Sequence, residues 1–455
     1  MEGAAACHCI SRTVNGEWLF DDVAKETFRQ QLWRVADYCG VQVVTYTIKV
    51  KGAPPSRRSP TRGLNSERHP CPFDSSDVLG IDSAMTSPII PSPLLLMHRR
   101  SFLTGLATTT AAAATHPLLA AGTKSAPPKI RLGMDNYSVR EMGWKAPELI
   151  DYAASLKLDS MIFSDLDSLG SLDEANLRDI RRRAEAAGIA LYAGSWSICP
   201  TSKAFKKNWG SAEEHLRLGI RVAKTLGSPV FRAVLGTLED RKTVGGIQAR
   251  IADTVAVLKA CRNDARSAGV KIAIENHAGD MHSWELLQLV NTAGRDFVGV
   301  NYDSGNAAWT LEDPMDVLET LGPASICSNV RDNMIWETAD GAAVQWAAPG
   351  DGLIDWRKLA ARWSQFCPQV PILVETLSGL RRIFPYKQPD FWAHYDKRPD
   401  KFAKFEALAK RGHEIPAFKA PAGPEGKKAK QDFQKAELEK SIAYLRKEIG
   451  LGVRS

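Results

Sequence analysis

From Lys129 onwards the chain repeats one pattern, a short apolar β-rich run followed by a longer stretch with helical spacing. The runs are IRLGMDNYSV, LDSMIFSDL, IALYAGSWSI, SPVFRAVLG, VKIAIENHAG, FVGVNYDSGN, ASICSNVRDN and VPILVETLSG. Between them lie stretches such as SAEEHLRLGIRVAKTLG and GGIQARIADTVAVLKACRNDARSAG, and in the latter Ile251, Val255, Leu258 and Cys261 share one helical face. Gly188, Gly227 and Gly269 stand where three of these helices should end, each followed at once by the next run. Eight such units over roughly 250 residues predict an α/β protein built as a (β/α)8 TIM barrel. A doubly wound sheet is the alternative, but it needs a reversal of strand order, and no glycine-rich phosphate loop appears.

The barrel text spans 129–378, little more than half of the 455 residues, and what flanks it differs in character. Residues 49–96 scatter Pro, Ser and Arg without a period, as a disordered join would. At Met97 begins MHRRSFLTGLATTTAAAATHPLLAAG, with a basic head, a weakly apolar Ala- and Thr-rich stretch and small residues at its end. Residues 97–122 therefore resemble a twin-arginine export signal. Initiation at Met97 would engage the twin-arginine machinery and export the protein to the periplasm; initiation further upstream would leave it cytoplasmic. Residues 1–48, with HCISRTVNGEWLFDDVAKETFRQQLWRVADYCGVQVVTYTI, resemble the opening of the REP-associated tyrosine transposases. The chain then turns to KVKGAPPSRRSP, without the metal-binding His pair and nucleophile of that family, so the resemblance implies a truncated remnant without nicking activity.

Composition narrows the function classes. Charged residues are 24% and hydrophobic residues 44%, which excludes a wholly disordered or fibrous chain. The net charge of +7 sits mostly in residues 379–455, since from Lys401 on there are 13 basic and 7 acidic residues. A surplus so placed is a solvated tail, and no nucleic-acid partner is expected from it. That extension reads as helical. In AKQDFQKAELEKSIAYLRKEIGLG, Phe433, Leu438, Ile442 and Leu445 line one face, to pack on the barrel itself or on a second subunit of a homo-oligomer. Eight cysteines form no disulfide scaffold, and no run of strongly apolar residues is long enough for a membrane-spanning helix.

The chemistry collects where the runs end, the side of such a barrel that carries the active site. The fifth run ends in Glu275, Asn276 and His277, the sixth in Tyr302, Asp303 and Asn306, the seventh in Asn329, Arg331 and Asp332, and the eighth in Glu375. Carboxylates that follow apolar strands are buried, and must be paired, protonated or bound to metal. Three acids at successive strand tips point to a divalent cation.

IENHAGD, VGVNYDSGNAAW and ILVET, in this order, resemble the xylose isomerase-like barrel superfamily, which includes sugar isomerases, ketose epimerases and type-IV apurinic endonucleases. The resemblance implies a metal held by Glu275, Asp303, a His and Glu375, but the His position falls on Asn329 in SNVRD. A neutral amide oxygen is a poor donor to zinc or cobalt, so Mn2+ or Mg2+ is favoured over Zn2+ or Co2+. The function implied is a metal-dependent sugar isomerase or epimerase acting on a small carbohydrate. Glu275 and Glu375 would exchange the proton beside a carbonyl. His277 and Arg331 are candidate substrate or enediolate contacts. Arg232, at the end of the fourth run, is either a barrel ion pair or a substrate contact. Trp309 is a candidate sugar platform, with Trp196 and Trp346 near other loop tips. Two alternatives stand beside this: a lyase or hydrolase on oxidised sugars using the same site, and a non-catalytic sugar-binding barrel. The endonuclease branch needs three zinc ions and clustered histidines, which this chain lacks.

Overall fold

The computed structural model describes residues 129–454, and the transposase-like, joining and signal-like segments all lie outside the described residues. Eight parallel strands form the expected barrel. They are β1 (Leu132–Asp135), β2 (Ser160–Phe163), β3 (Ala190–Ser197), β4 (Val230–Val234), β5 (Lys271–Glu275), β6 (Val298–Asp303), β7 (Ser325–Asn329) and β10 (Ile372–Val374). Hydrogen bonding runs β10-β1-β2-β3-β4-β5-β6-β7. The ring is closed by one parallel bridge between Val330 and Val374, where Val330 N donates to Leu373 O at 2.8 Å and Glu375 N to Val330 O at 2.9 Å.

Local sequence sets the helices between them. Ser211 and Glu214 cap each other's backbone in a reciprocal box at the start of helix Ala212–Leu226, and Asp173 accepts from Asn176 N ahead of Glu174–Ala186. Gly227 and Gly269 end their helices in the left-handed region. The long stretch after Gly246 is two helices, Gly246–Ala260 and Arg262–Ala268, broken at Cys261; Ile251, Val255, Leu258 and Cys261 are all buried as its spacing predicted.

Strand period sorts the side chains into two sets. Leu132, Met134, Met161, Phe163, Phe231, Ile272, Ile274, Val300, Ile372 and Val374 face the helices in the main core. Inside the barrel Ile162, Tyr192, Val230, Ala273, Cys327 and Leu373 form an apolar plug. The next inward residues along the same strands are Arg232, Glu275, Asn329 and Glu375, so the polar layer sits directly on the plug. Gly133 lets β1 lie close against the plug, because a Cβ there would lie 2.3 Å from Ser160 O and 2.5 Å from Leu373 Cδ2. Cys199, Cys261, Cys327 and Cys367 are buried and free.

Two features go beyond the eightfold repeat. The seventh run ends at Asn329, and the chain then folds into a hairpin, β8 (Asp332–Thr338) and β9 (Gly341–Ala347), joined across Ala339 and Asp340. A third strand, β11 (Arg381–Phe384), pairs antiparallel with β9. With helix Phe402–Arg411 this small sheet makes a second core around Trp309, Trp346, Phe384, Tyr386 and Phe405. Asp332, read as part of the strand-seven tip, anchors this insertion instead. It accepts from Trp356 Nε1 at 2.7 Å and from the backbone N of Asn333, Gly350 and Ile354 at 2.8, 3.0 and 3.1 Å.

The final helix, Pro424–Lys447, packs on its own barrel with Leu438, Ile442 and Leu445 in the main core. It bonds to the first barrel helix through Tyr152 Oη–Glu439 at 3.1 Å, and to the loop before the helix Trp356–Phe366 through Lys440–Asp351 at 2.5 Å. It thus fills the place of an eighth barrel helix. Phe433 leaves that face and stacks on Phe418 at 4.1 Å. Among the described residues no helix is long and apolar enough to cross a membrane.

Candidate active site

The strand-tip acids converge. One carboxylate oxygen each from Glu275, Asp303 and Glu375 lies within 4.8 Å of the others, and all three residues are buried. Glu275 and Asp303 are brought together by Asn306, whose Nδ2 donates to Glu275 Oε1 at 3.2 Å and Asp303 Oδ2 at 2.7 Å. Asp303 also caps the short turn Ser304–Ala307, its Oδ1 accepting from Gly305 N at 2.7 Å and Asn306 N at 3.0 Å. Asn276 locks β5 to β6 through both backbone groups of Asp303, at 2.8 Å each.

Two arginines reach this layer. Arg232 Nε donates to Glu275 Oε2 at 2.6 Å and its Nη1 to Ser195 O at 2.8 Å, so within the chain the guanidinium is committed as a barrel ion pair. Arg331 Nη2 donates to both Asp303 Oδ2 and Glu375 Oε2. Its guanidinium carbon lies 4.3 Å from the Trp346 ring centroid. Trp346 is stacked at 4.2 Å on Trp309, over which Arg382 sits at 5.3 Å. Trp309 is therefore 7% exposed inside an aromatic column, and touches the site through Trp346 and Arg331.

Asn329 stands at the β7 tip with no exposed surface. Its Nδ2 donates to Asp135 Oδ2, while its Oδ1 accepts from Asn301 Nδ2 at 2.9 Å. Asn301 Nδ2 also reaches Glu275 Oε2 at 2.9 Å. His277 Nδ1 lies 2.6 Å from Gly236 O; a carbonyl only accepts, so Nδ1 carries the proton and Nε2 keeps its lone pair. Burial, with Arg232 adding to it, lowers the His277 pKa to about 4, so the ring is neutral at pH 7. Trp196 meets it edge-on at 5.2 Å.

Asp135, at the tip of β1, is a fourth acid of the site that the strand-tip reading passed over. The signal was there, an Asp closing the first run just as Asp303 closes the sixth. Asp135 and Asp303 both have their pKa raised to about 8, chiefly by burial, with Glu375 adding to the effect on Asp135. Asp303 is partly relieved by Arg331.

Asp135, Glu275, Asp303 and Glu375, at most 6% exposed, face the equally buried Arg232 and Arg331. Four carboxylates against two guanidiniums leave a surplus of two negative charges. The low-dielectric interior tolerates that surplus only with bound protons or an added cation. The donor set, all oxygen and doubly negative in excess, fits one hard divalent ion held by Glu275, Asp303 and Glu375.

Several solved structures are similar to part of this chain. A D-psicose 3-epimerase, solved in the presence of D-fructose, is 17% identical, covers 70% of this chain and 100% of its own, and has a TM-score of 0.46. The IOLI protein solved with a zinc atom is 16% identical, with coverage of 61% and 96% and a TM-score of 0.43. The 3-keto-D-glucoside 4-epimerase of E. coli is 11% identical, with coverage of 61% and 100% and a TM-score of 0.43. No curated protein matches the chain by sequence. Residues 139–379, from the turn after β1 to just beyond Glu375, match the xylose isomerase-like TIM barrel family, and the chain belongs to it.

Proposed function

We propose that the chain is a divalent-metal-dependent sugar isomerase or epimerase that moves a proton beside a carbonyl. The observation that carries this reading is the buried triad Glu275, Asp303 and Glu375, with ligand oxygens within 4.8 Å of one another. Bound there, an ion of the Mn2+ or Mg2+ kind would polarise a sugar carbonyl and acidify the adjoining C–H. Asp303 serves as a ligand only, since Gly305 N and Asn306 N hold its Oδ1 and Asn306 Nδ2 orients its Oδ2. Glu275 and Glu375 reach the same space from strands separated by β6 and β7. One takes the proton and the other returns it. Arg232 fixes Glu275 through Oε2, which leaves Oε1, with a long 3.2 Å bond from Asn306, as the working oxygen. Neutral His277 accepts from a substrate hydroxyl through Nε2, and Arg331 supplies positive charge where an enediolate forms. Asn329 holds Asp135 and Asn301 in register, and its Oδ1, which accepts from Asn301, would be the fourth ligand oxygen. Translation from Met97 would send the folded protein out through the twin-arginine route.

The test is incubation with keto- and aldo-sugars in D2O with added Mn2+. Deuterium entering at one sugar carbon is the expected result, with the rate falling ~10²-fold or more in Glu375→Gln. Sugar binding without exchange, by a protein carrying stoichiometric metal, would make the barrel a binding module. Exchange accompanied by loss of a substituent would make it a lyase.

A further inference from the structure

We propose that Arg331 and a divalent ion are alternative occupants of one seat, so that Arg331 is displaced when metal binds and limits how tightly it is held. The proposal rests on the metal-dependent reading above and deepens it.

The geometry is specific. Asp303 Oδ2 and Glu375 Oε2, oxygens of two of the three carboxylates that can close on an ion, both accept from one nitrogen, Arg331 Nη2. A cation bound by all three carboxylates needs the space between those two oxygens. Two positive groups within contact distance there would repel strongly even in a polarisable interior. The arginine is also built in. Its backbone N and O are both bonded to the Ser304 hydroxyl, at 3.1 and 2.6 Å. Gly305 clears its path, because a Cβ there would lie 2.2 Å from Arg331 Cγ and 2.5 Å from Cδ. Trp346 lies under the guanidinium at 4.3 Å, and its indole is pinned by Nε1 donating to Gly305 O at 3.1 Å.

One observation favours movement over a fixed structural bridge. Arg331 is 2% exposed, yet its Nε has no hydrogen-bond partner. A buried arginine kept only for structure normally satisfies its donors, and leaving one bare has a cost. The orphan Nε and the flat Trp346 surface allow the head group to slide along the ring without losing its cation–π support. The substitution at 329 fits the same scheme. A neutral Asn, bonded to Asp135 and Asn301, weakens the metal's hold on the seat, and a resident guanidinium neutralises the acids while the seat lacks metal.

The experiment is a calorimetric Mn2+ titration of the metal-free full-length chain and of its Arg331→Gln and Arg331→Lys variants, with thermal unfolding of each before and after loading. If the guanidinium competes, Arg331→Gln binds one Mn2+ about tenfold or more tightly than wild type. Arg331→Lys, which keeps the charge but reaches one carboxylate, falls between them. Metal-free Arg331→Gln melts lower than wild type, and Mn2+ raises its melting temperature by more. A purely structural arginine predicts the reverse, since a disturbed site binds metal more weakly. Equal or weaker binding by Arg331→Gln overturns the competition and leaves the metal reading standing. Should Arg331→Gln not fold, equal or weaker binding by Arg331→Lys overturns it in the same way. Mn2+ binding by none of the three overturns both.

Discussion

Glu275 carries two jobs, and a double-mutant cycle with Arg232 separates them. Arg232 is 4% exposed and Glu275 fully buried, with Nε and Oε2 at 2.6 Å. Glu275→Gln removes the charge that compensates Arg232 and should destabilise the fold by about 3–5 kcal/mol, the usual cost of stranding one member of a buried pair. Arg232→Met strands Glu275 among Asp135, Asp303 and Glu375 and should cost at least as much. In the double variant neither charge is stranded. Its loss should fall short of the sum of the single losses by about 2–3 kcal/mol, since contacting residues couple and distant ones do not. The assay is urea unfolding of the four proteins followed by circular dichroism, with solvent exchange at the sugar carbon measured in parallel. Stability should return in the double variant while proton exchange stays lost, because, of this pair, only Glu275 is one of the two carboxylates that handle the proton. Losses that add within about 0.5 kcal/mol would refute the ion pair. Full exchange activity in the double variant would refute a proton-handling role for Glu275.

Two further outcomes follow from the packing. Leu438→Ala, at a site with no exposed surface between the final helix and the barrel, should cost about 3 kcal/mol in urea unfolding; Leu438 would cost little if that helix were an appended tail. His215 is buried against Ser195 Oγ at 2.8 Å, and burial lowers its pKa from 6.5 to about 4. The unfolded chain takes up that proton first as pH falls. His215 therefore subtracts nothing above about pH 6.5 and roughly 3 kcal/mol by pH 4. Stability measured at pH 7 and pH 4.5 should differ less in His215→Asn than in wild type.

The barrel was legible because its strands are buried on both faces and its helices carry their own stop signals, as at Gly227 and Gly269. The acids were legible because a carboxylate after Ile-Ala-Ile or Leu-Val has few reasons to be there. What escaped was whatever depends on distant partners. The β8–β9 hairpin hid inside the seventh unit, although Asp340 and Gly341 at its turn are ordinary hairpin residues. Arg331 was visible as a charge, but that its Nη2 bridges Asp303 and Glu375 depends on how β7, β6 and β10 meet. Trp309 had the look of a sugar platform. Only the fold puts Trp346 on one face and Arg382 over the other.

The final helix has a consequence for the order of events in synthesis. Its last turn hands the chain back to the beginning: Gly452 N donates to Ile130 O at 2.9 Å, and Val453 N and Arg454 N both donate to Asp159, each at 3.0 Å. β1, flanked by β2 and β10, is thus tied down by residues more than three hundred positions downstream. Emerging strands can pair in order, but the first of them lacks these contacts until residues 452–454 have been made. Closure of the barrel should therefore come late, since it requires contacts across nearly the full described domain. Glu375 follows directly on the strand that β1 must meet, so the cluster of Glu275, Asp303 and Glu375 is complete only once that closure is made.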